Sequence, residues 1–109
     1  MAELPYVNEG DFQSEVLDSS RPVLVDFTAA WCGPCKMVDP IVQQLAGEWG
    51  ENVRVFKCDA DKNPNILIRY GIMGIPTLLL FQGGKVTERV TGYQSRDKLS
   101  ARFTPHLQP

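Results

Sequence analysis

Val23-Leu24-Val25-Asp26-Phe27 runs through Thr28-Ala29-Ala30 into Trp31-Cys32-Gly33-Pro34-Cys35, and this join decides the fold. The first stretch is a nearly continuous apolar run rich in β-branched residues. Such a run suits a strand covered on both faces, in a parallel or mixed sheet with helices on each side. The second stretch opens a long helix. Val38, Ile41, Val42, Leu45, Ala46 and Trp49 recur there at helical spacing, and Gly50 stops the run. Pro40 removes an amide inside that helix and crowds the carbonyl of Lys36, which predicts a kink.

Upstream of this join, Asn8 can cap a short first helix, with Asp11 as its box partner and Phe12 and Val16 as its apolar stripe. Downstream, residues 53–58 read as a strand and Asp59-Ala60-Asp61 as a turn. Asn63 as cap and Pro64 at the first helical position open a short helix ending at Gly71. Residues 77–81 and 86–91 read as strands joined by the hairpin turn Gln82-Gly83-Gly84-Lys85, and a turn this short makes them antiparallel. Ser95 caps a last helix carrying Leu99 and Phe103, which Pro105 should end early. Strands alternating with helices and closing on a hairpin predict a three-layer α/β/α sandwich around a mixed sheet.

With 109 residues the chain fits a single domain, residues 1–109, with a radius of gyration near ~13 Å. Hydrophobic residues at 43%, charged residues at 22% and a mean hydropathy of -0.18 exclude a disordered chain and a membrane protein. Lys+Arg 11 against Asp+Glu 13 is not the basic footprint of a nucleic-acid binder. The first residues show no secretory pattern, so the expected compartment is the cytoplasm, or a reducing organelle such as the plastid stroma if a transit peptide was removed. Three cysteines are too few for a disulfide-stapled scaffold and leave one unpaired.

The chemistry centres on Cys32-Gly33-Pro34-Cys35. Two residues between cysteines at the first turn of a helix bring the sulfurs within bonding distance. The helix N-terminus supplies free amides and partial positive charge that favour a thiolate. Cys32, at the exposed end, is the expected attacking thiolate, and Cys35, pointing back into the helix, the resolving thiol. The competing reading is a zinc site of Cys32, Cys35, Cys58 and His106. It is disfavoured because Gly-Pro followed by a long helix is not how a zinc turn usually reads. Cys58 sits in a strand as a small hydrophobe, and His106 stands in a terminal tail. No metal site is therefore expected.

Asp26 lies within an apolar run, so its carboxylate has to be buried, and an unpaired buried charge is costly. A position leading into the cysteine motif favours an acid–base role over a purely structural one. Alternation places Asp26 on the strand face of Leu24 and Thr28, and Lys57 with Val53 and Val55, so the two can meet if their strands are neighbours. Trp31, beside the reactive thiol, suggests a flat apolar contact surface, whereas Trp49 lies on the apolar stripe of the long helix and reads as core. Ile75-Pro76 opens a strand, and by itself carries only the ordinary low cis frequency of X–Pro bonds.

Val25-Asp26-Phe27, Trp31-Cys32-Gly33-Pro34-Cys35-Lys36, Pro40, Tyr70-Gly71-Ile72, Gly74-Ile75-Pro76-Thr77, Gly84 and Gly92 together resemble the thioredoxin family over essentially the whole chain. The resemblance implies the thioredoxin fold, with a mixed five-stranded sheet and four flanking helices, and a cis Pro76 facing the disulfide. It implies a substrate groove of Trp31, Gly33, Pro34, Gly74, Ile75, Pro76 and Gly92. Asp26, aided by Lys57, would exchange a proton with Cys35. The chain would hold no cofactor beyond the Cys32–Cys35 disulfide and would be regenerated by a thioredoxin reductase, NADPH- or ferredoxin-dependent. One residue departs from the pattern: Thr28 stands where tryptophan is common, leaving a smaller, more polar wall behind the active-site loop.

The leading function is reduction of disulfides in target proteins by a monomer that binds neither nucleic acid nor membrane. An oxidant or isomerase would carry a histidine before the second cysteine, where this chain has Pro34. A redox-incidental binding module using the groove around Trp31 and Pro76 is the alternative from another class.

Overall fold

A computed structural model describes residues 3–107. The central strand is β1 (Val23–Thr28), all six of its residues buried, as its apolar run requires. It pairs in parallel with β2 (Arg54–Asp59) and antiparallel with β3 (Thr77–Gln82), and β3 pairs antiparallel with β4 (Lys85–Thr91). Among the described residues the sheet has four strands in the order β2-β1-β3-β4. The five-stranded expectation is corrected here: the N-terminal segment contributes one parallel bridge, Tyr6 to Lys57, rather than a strand. Pro5 accepts from the Lys57 amide and Val7 donates to the Lys57 carbonyl, both at 2.9 Å. Pro5 has no amide of its own with which to extend the ladder.

The long helix α1 (Gly33–Trp49) runs unbroken through Pro40, buries Cys35, Val38, Val42, Leu45 and Trp49, and is closed by Gly50. With Leu24, Leu78, Leu80, Val90 and Leu99 and Phe103 of α3 (Arg96–Leu107), these side chains fill one side of the sheet. Val23, Val25, Phe27, Phe56, Leu79 and Phe81 fill the other, against Phe12, Val16 and Ile66. Each fully buried side chain of this size contributes about 1.5–3 kcal/mol by leaving water. The radius of gyration is 12.6 Å. The β3–β4 turn places Gly83 at φ 60° and Gly84 at φ 79°. Both central residues are left-handed, as the tight hairpin turn that matches strand twist needs.

Three local expectations change. The first helix is a single π-helical turn, Gln13–Leu17, with no side-chain cap. Asp11 does accept from the Asn8 amide at 2.8 Å, but the Asn8 side chain accepts from Asn63 instead. Asn63, in turn, does not cap α2 (Pro64–Arg69). It is buried, accepting from the Glu9 amide and donating to Asn8 and to the Asp59 carbonyl, so it ties three segments together. Pro105 does not end α3, which continues to a buried Leu107. Gln82 donates to the His106 carbonyl and His106 pairs with Glu88, holding the last turn across the missing proline amide. Ser95 does cap this helix, accepting from the Lys98 amide at 3.3 Å.

Candidate active site

The chain arrives at α1 with Cys32 as the N-cap, extended at φ -85°, ψ 112°, its sulfur accepting from the Cys35 amide at 3.2 Å. A helix start leaves its first amides unpaired, so the sulfur of Cys32 takes the place of an ordinary oxygen cap. Cys32 and Cys35 form a disulfide with Cα atoms 5.3 Å apart. Cys35 is fully buried. Cys32 is only 3% exposed, so the expected exposed end is less open than the sequence suggested. Ala29 and Ile75 pack against the pair, and the Ile75 carbonyl oxygen lies 3.8 Å from Cys32 Sγ.

Ile75–Pro76 is cis. Gly92, at φ 85°, donates to the Pro76 carbonyl at 2.8 Å, so the end of β4 is tied to the loop that faces the disulfide. Trp31 is 68% exposed and is held by its indole N–H donating to Asp61 at 2.8 Å. A cleft of about 210 Å³ lies among Trp31, Asp61, Met73, Gly74 and Ile75. Gly33 and Gly74 face open space, where a Cβ would meet nothing of this chain. Asp61 and the fully exposed Met73 were not singled out from the sequence. A polar turn residue and a lone methionine carry no pattern that would have marked them.

On β1, Asp26 is fully buried and in register with Lys57 of β2. The Lys57 ammonium, however, pairs with Asp39 at 3.8 Å, and lies 5.2 Å from the Tyr6 ring. Asp39 also accepts from the Thr28 hydroxyl at 2.8 Å. Neither Asp26 oxygen has a hydrogen-bond partner, and Oδ1 of Asp39 has none. Ionised carboxylates only accept, so two of them bond to each other only when one carries a proton. Burial holds Asp26 well above the usual carboxylate range. The neighbouring Asp39 adds to this by bonding the neutral acid and repelling the anion, and the Lys57 charge opposes it. Burial works against the charged Lys57, yet Tyr6, Asp39 and Asp26 together leave its ammonium more stable than usual. Asp39 was missed, although a signal was there. It follows Cys35 by one helical turn, on the same helix face.

The residues of the zinc alternative are not brought together. Cys58 is buried among Phe27, Phe56 and Ile66 on the opposite side of the sheet, and His106 pairs with Glu88 at the end of α3. Burial, then the nearby Asp59, Glu9 and Asp11 carboxylates, pushes the Cys58 thiol up to about 12. Among the described residues no cluster of three or more His, Cys, Asp or Glu is placed to hold a metal, and no helix is long and apolar enough to cross a membrane.

The family model described as Thioredoxin matches residues 3–104. The chain belongs to the thioredoxin family. It is 50% identical over 102 residues to the thioredoxin of Acidithiobacillus ferridurans, covering 94% of each chain. It is 43% identical over 107 residues to thioredoxin 1 of Nostoc sp., covering 98% of this chain and 100% of that one. To the chloroplastic M-type thioredoxin of Chlamydomonas reinhardtii it is 46% identical over 91 residues, covering 84% of this chain and 65% of that one. Like the rest of the family, this thioredoxin fold carries its redox chemistry on the disulfide at the head of α1. The protein is a protein-disulfide oxidoreductase, and its partners are disulfide-containing proteins and a thioredoxin reductase.

Proposed function

We propose that Cys32 is the attacking thiolate, Cys35 the resolving thiol and Asp26 the group that takes the Cys35 proton, with Lys57 assisting. The observation that carries this reading is the Cys32–Cys35 disulfide at the head of α1, with the Cys32 sulfur accepting the Cys35 amide, together with a fully buried Asp26 without hydrogen-bond partners on the strand that leads into it. In the reduced protein the Cys32 thiolate attacks one sulfur of a target disulfide, forms a mixed disulfide and releases the other target sulfur as a thiolate, which takes a proton from solvent. Cys35 gives its proton to Asp26 as its sulfur attacks Cys32 Sγ. The mixed disulfide breaks and the second target sulfur leaves as a thiolate, which takes a proton from solvent while Asp26 returns its own to solvent. The target gains two electrons and two protons, and this chain is left with the Cys32–Cys35 disulfide.

The target segment would lie along Trp31, Gly33, Pro34, Gly74, Ile75, Pro76 and Gly92. The cleft beside Trp31, the open space at Gly33 and Gly74, and the exposed Met73 support that placement. The reading is of a single-domain monomer in the cytoplasm or in a reducing organelle such as a plastid, regenerated by a reductase that draws on NADPH or ferredoxin. Insulin reduction, followed by turbidity with each reductase in turn, tests it. The wild type should turn over with one of the two, and Cys32→Ser with neither. Turnover by Cys32→Ser would overturn the assignment.

A further inference from the structure

The sheet face that carries Asp26 is not finished by the residues assigned so far. Thr28, two residues on, shares that face, and Asp39 reaches it from α1, one turn after Cys35. The Thr28 hydroxyl donates to Asp39 Oδ2 at 2.8 Å, and Lys57 Nζ approaches the same oxygen at 3.8 Å. The other Asp39 oxygen is buried, as are both of Asp26, and all three are without a partner. Lys57 is thus drawn to Asp39, and its ion pair is not with its register neighbour. A cleft of about 180 Å³ opens beside this row.

We propose that Asp39 is a positioning residue for Asp26: held by Thr28 and Lys57, it sets a second carboxyl against the first, and the pair shares one proton. This rests on the reading of Asp26 as the group that takes the Cys35 proton. Two adjacent carboxylates in a site of low dielectric do not both ionise readily, so the last proton on the pair is held more tightly than Asp26 alone would hold it. The doubly ionised pair is therefore the stronger base when Cys35 must lose its proton, and the pair sharing one proton is the state it becomes. Asp39 is one-fifth exposed on its side chain and Asp26 not at all, so the shared proton exchanges with solvent from the Asp39 side. The charged group acting on Asp26 besides Asp39 is Lys57, and the cleft beside Asp39 is also lined by Asp59 of β2, Lys36 of α1 and Tyr6 of the N-terminal segment. On the β3 side the register neighbour of Asp26 is Leu78, which brings no charge.

The test is a carboxyl-carbon NMR titration of the oxidised protein, in which neither Cys32 nor Cys35 titrates. In the wild type the Asp39 carboxyl carbon should move at the Asp26 midpoint as well as Asp26 itself. In Asp39→Asn the Asp26 midpoint should fall by about one pH unit or more, and the acid limb of the insulin-reduction rate should move with it. Thr28→Val, which removes only the hydroxyl that holds Asp39, should shift the midpoint less and in the same direction. An Asp26 midpoint unchanged in Asp39→Asn would overturn the proposal. So would a wild-type titration in which the Asp39 carbon is silent at the Asp26 step, and that arm needs no variant to fold. The reading of Asp26 fails separately, if Asp26→Asn reduces insulin at the wild-type rate whatever the titrations show.

Discussion

The two faces of β1 are equally buried and built of opposite material. Val23, Val25 and Phe27 meet hydrocarbon on one side, packed with Phe56, Leu79 and Phe81. On the other, Leu24 joins the apolar core of α1 and α3, but Asp26 and Thr28 follow it toward the disulfide. The first face stabilises the fold through burial alone. The second gives up stability at its upper end, where a carboxyl without hydrogen-bond partners is buried. One strand therefore divides the work. Its odd-numbered residues fix the sheet, and its even-numbered residues lead from core to chemistry.

The sharpest way to break this division is at the chemistry itself. Cys32→Ser should abolish insulin reduction while leaving urea unfolding of the reduced protein close to wild type. Loss of folding would mean that the sulfur is structural. Phe27→Ala, on the apolar face, should cost about 3–5 kcal/mol in urea unfolding, because a fully buried ring is replaced by a cavity. A loss below about 1 kcal/mol would contradict the assignment of stability to that face.

Asp26→Asn should do the reverse: stabilise the protein while slowing disulfide reduction by about two orders of magnitude or more. The folded state raises the Asp26 pKa, so it holds a proton that the unfolded chain releases near ~3.9. That contribution to stability is whole below this pH and is lost as pH climbs through the raised folded value. The Asn variant should therefore match wild type in acid and gain on it as pH rises, toward a few kcal/mol. A gain that did not grow with pH would show that ionisation of Asp26 is not its source.

Smallest in effect on the fold, Thr28→Trp should displace the hydroxyl from Asp39 and close part of the cleft beside it. The reduction potential and the rate with a given reductase should both move. If neither did, partner choice would lie elsewhere on the surface.

The sequence made the join from β1 to α1 legible because both halves declare themselves: a strand buried on both faces has to be apolar, and a helix opening on Cys-Gly-Pro-Cys has to expose its amides to a sulfur. The buried Asp26 followed from the apolar run around it, the core Trp49 from helical spacing, and the exposed Trp31 from its place beside the cysteine motif. What escaped depends on contacts between distant segments. Pro105 reads as a helix stop until Gln82 and Glu88 are seen to hold the turn around it. Asn63 reads as a cap until Asn8 and Glu9, from the N-terminal segment, are seen to occupy its side chain. Asp39, one turn after Cys35, carries no assignment until Thr28 and Lys57 are found beside it. Thr28 itself reads as a lost aromatic, whereas its hydroxyl has a partner.

If electrons pass through a mixed disulfide on Cys32 that Cys35 resolves, that intermediate can be trapped. Reduced Cys35→Ser is incubated with insulin, and the adduct is mapped by mass spectrometry after alkylation near neutral pH. A covalent adduct through Cys32, released by dithiothreitol, is expected, with Cys58 unmodified in its apolar site. An adduct on Cys58, or wild-type turnover with no adduct at all, would contradict it.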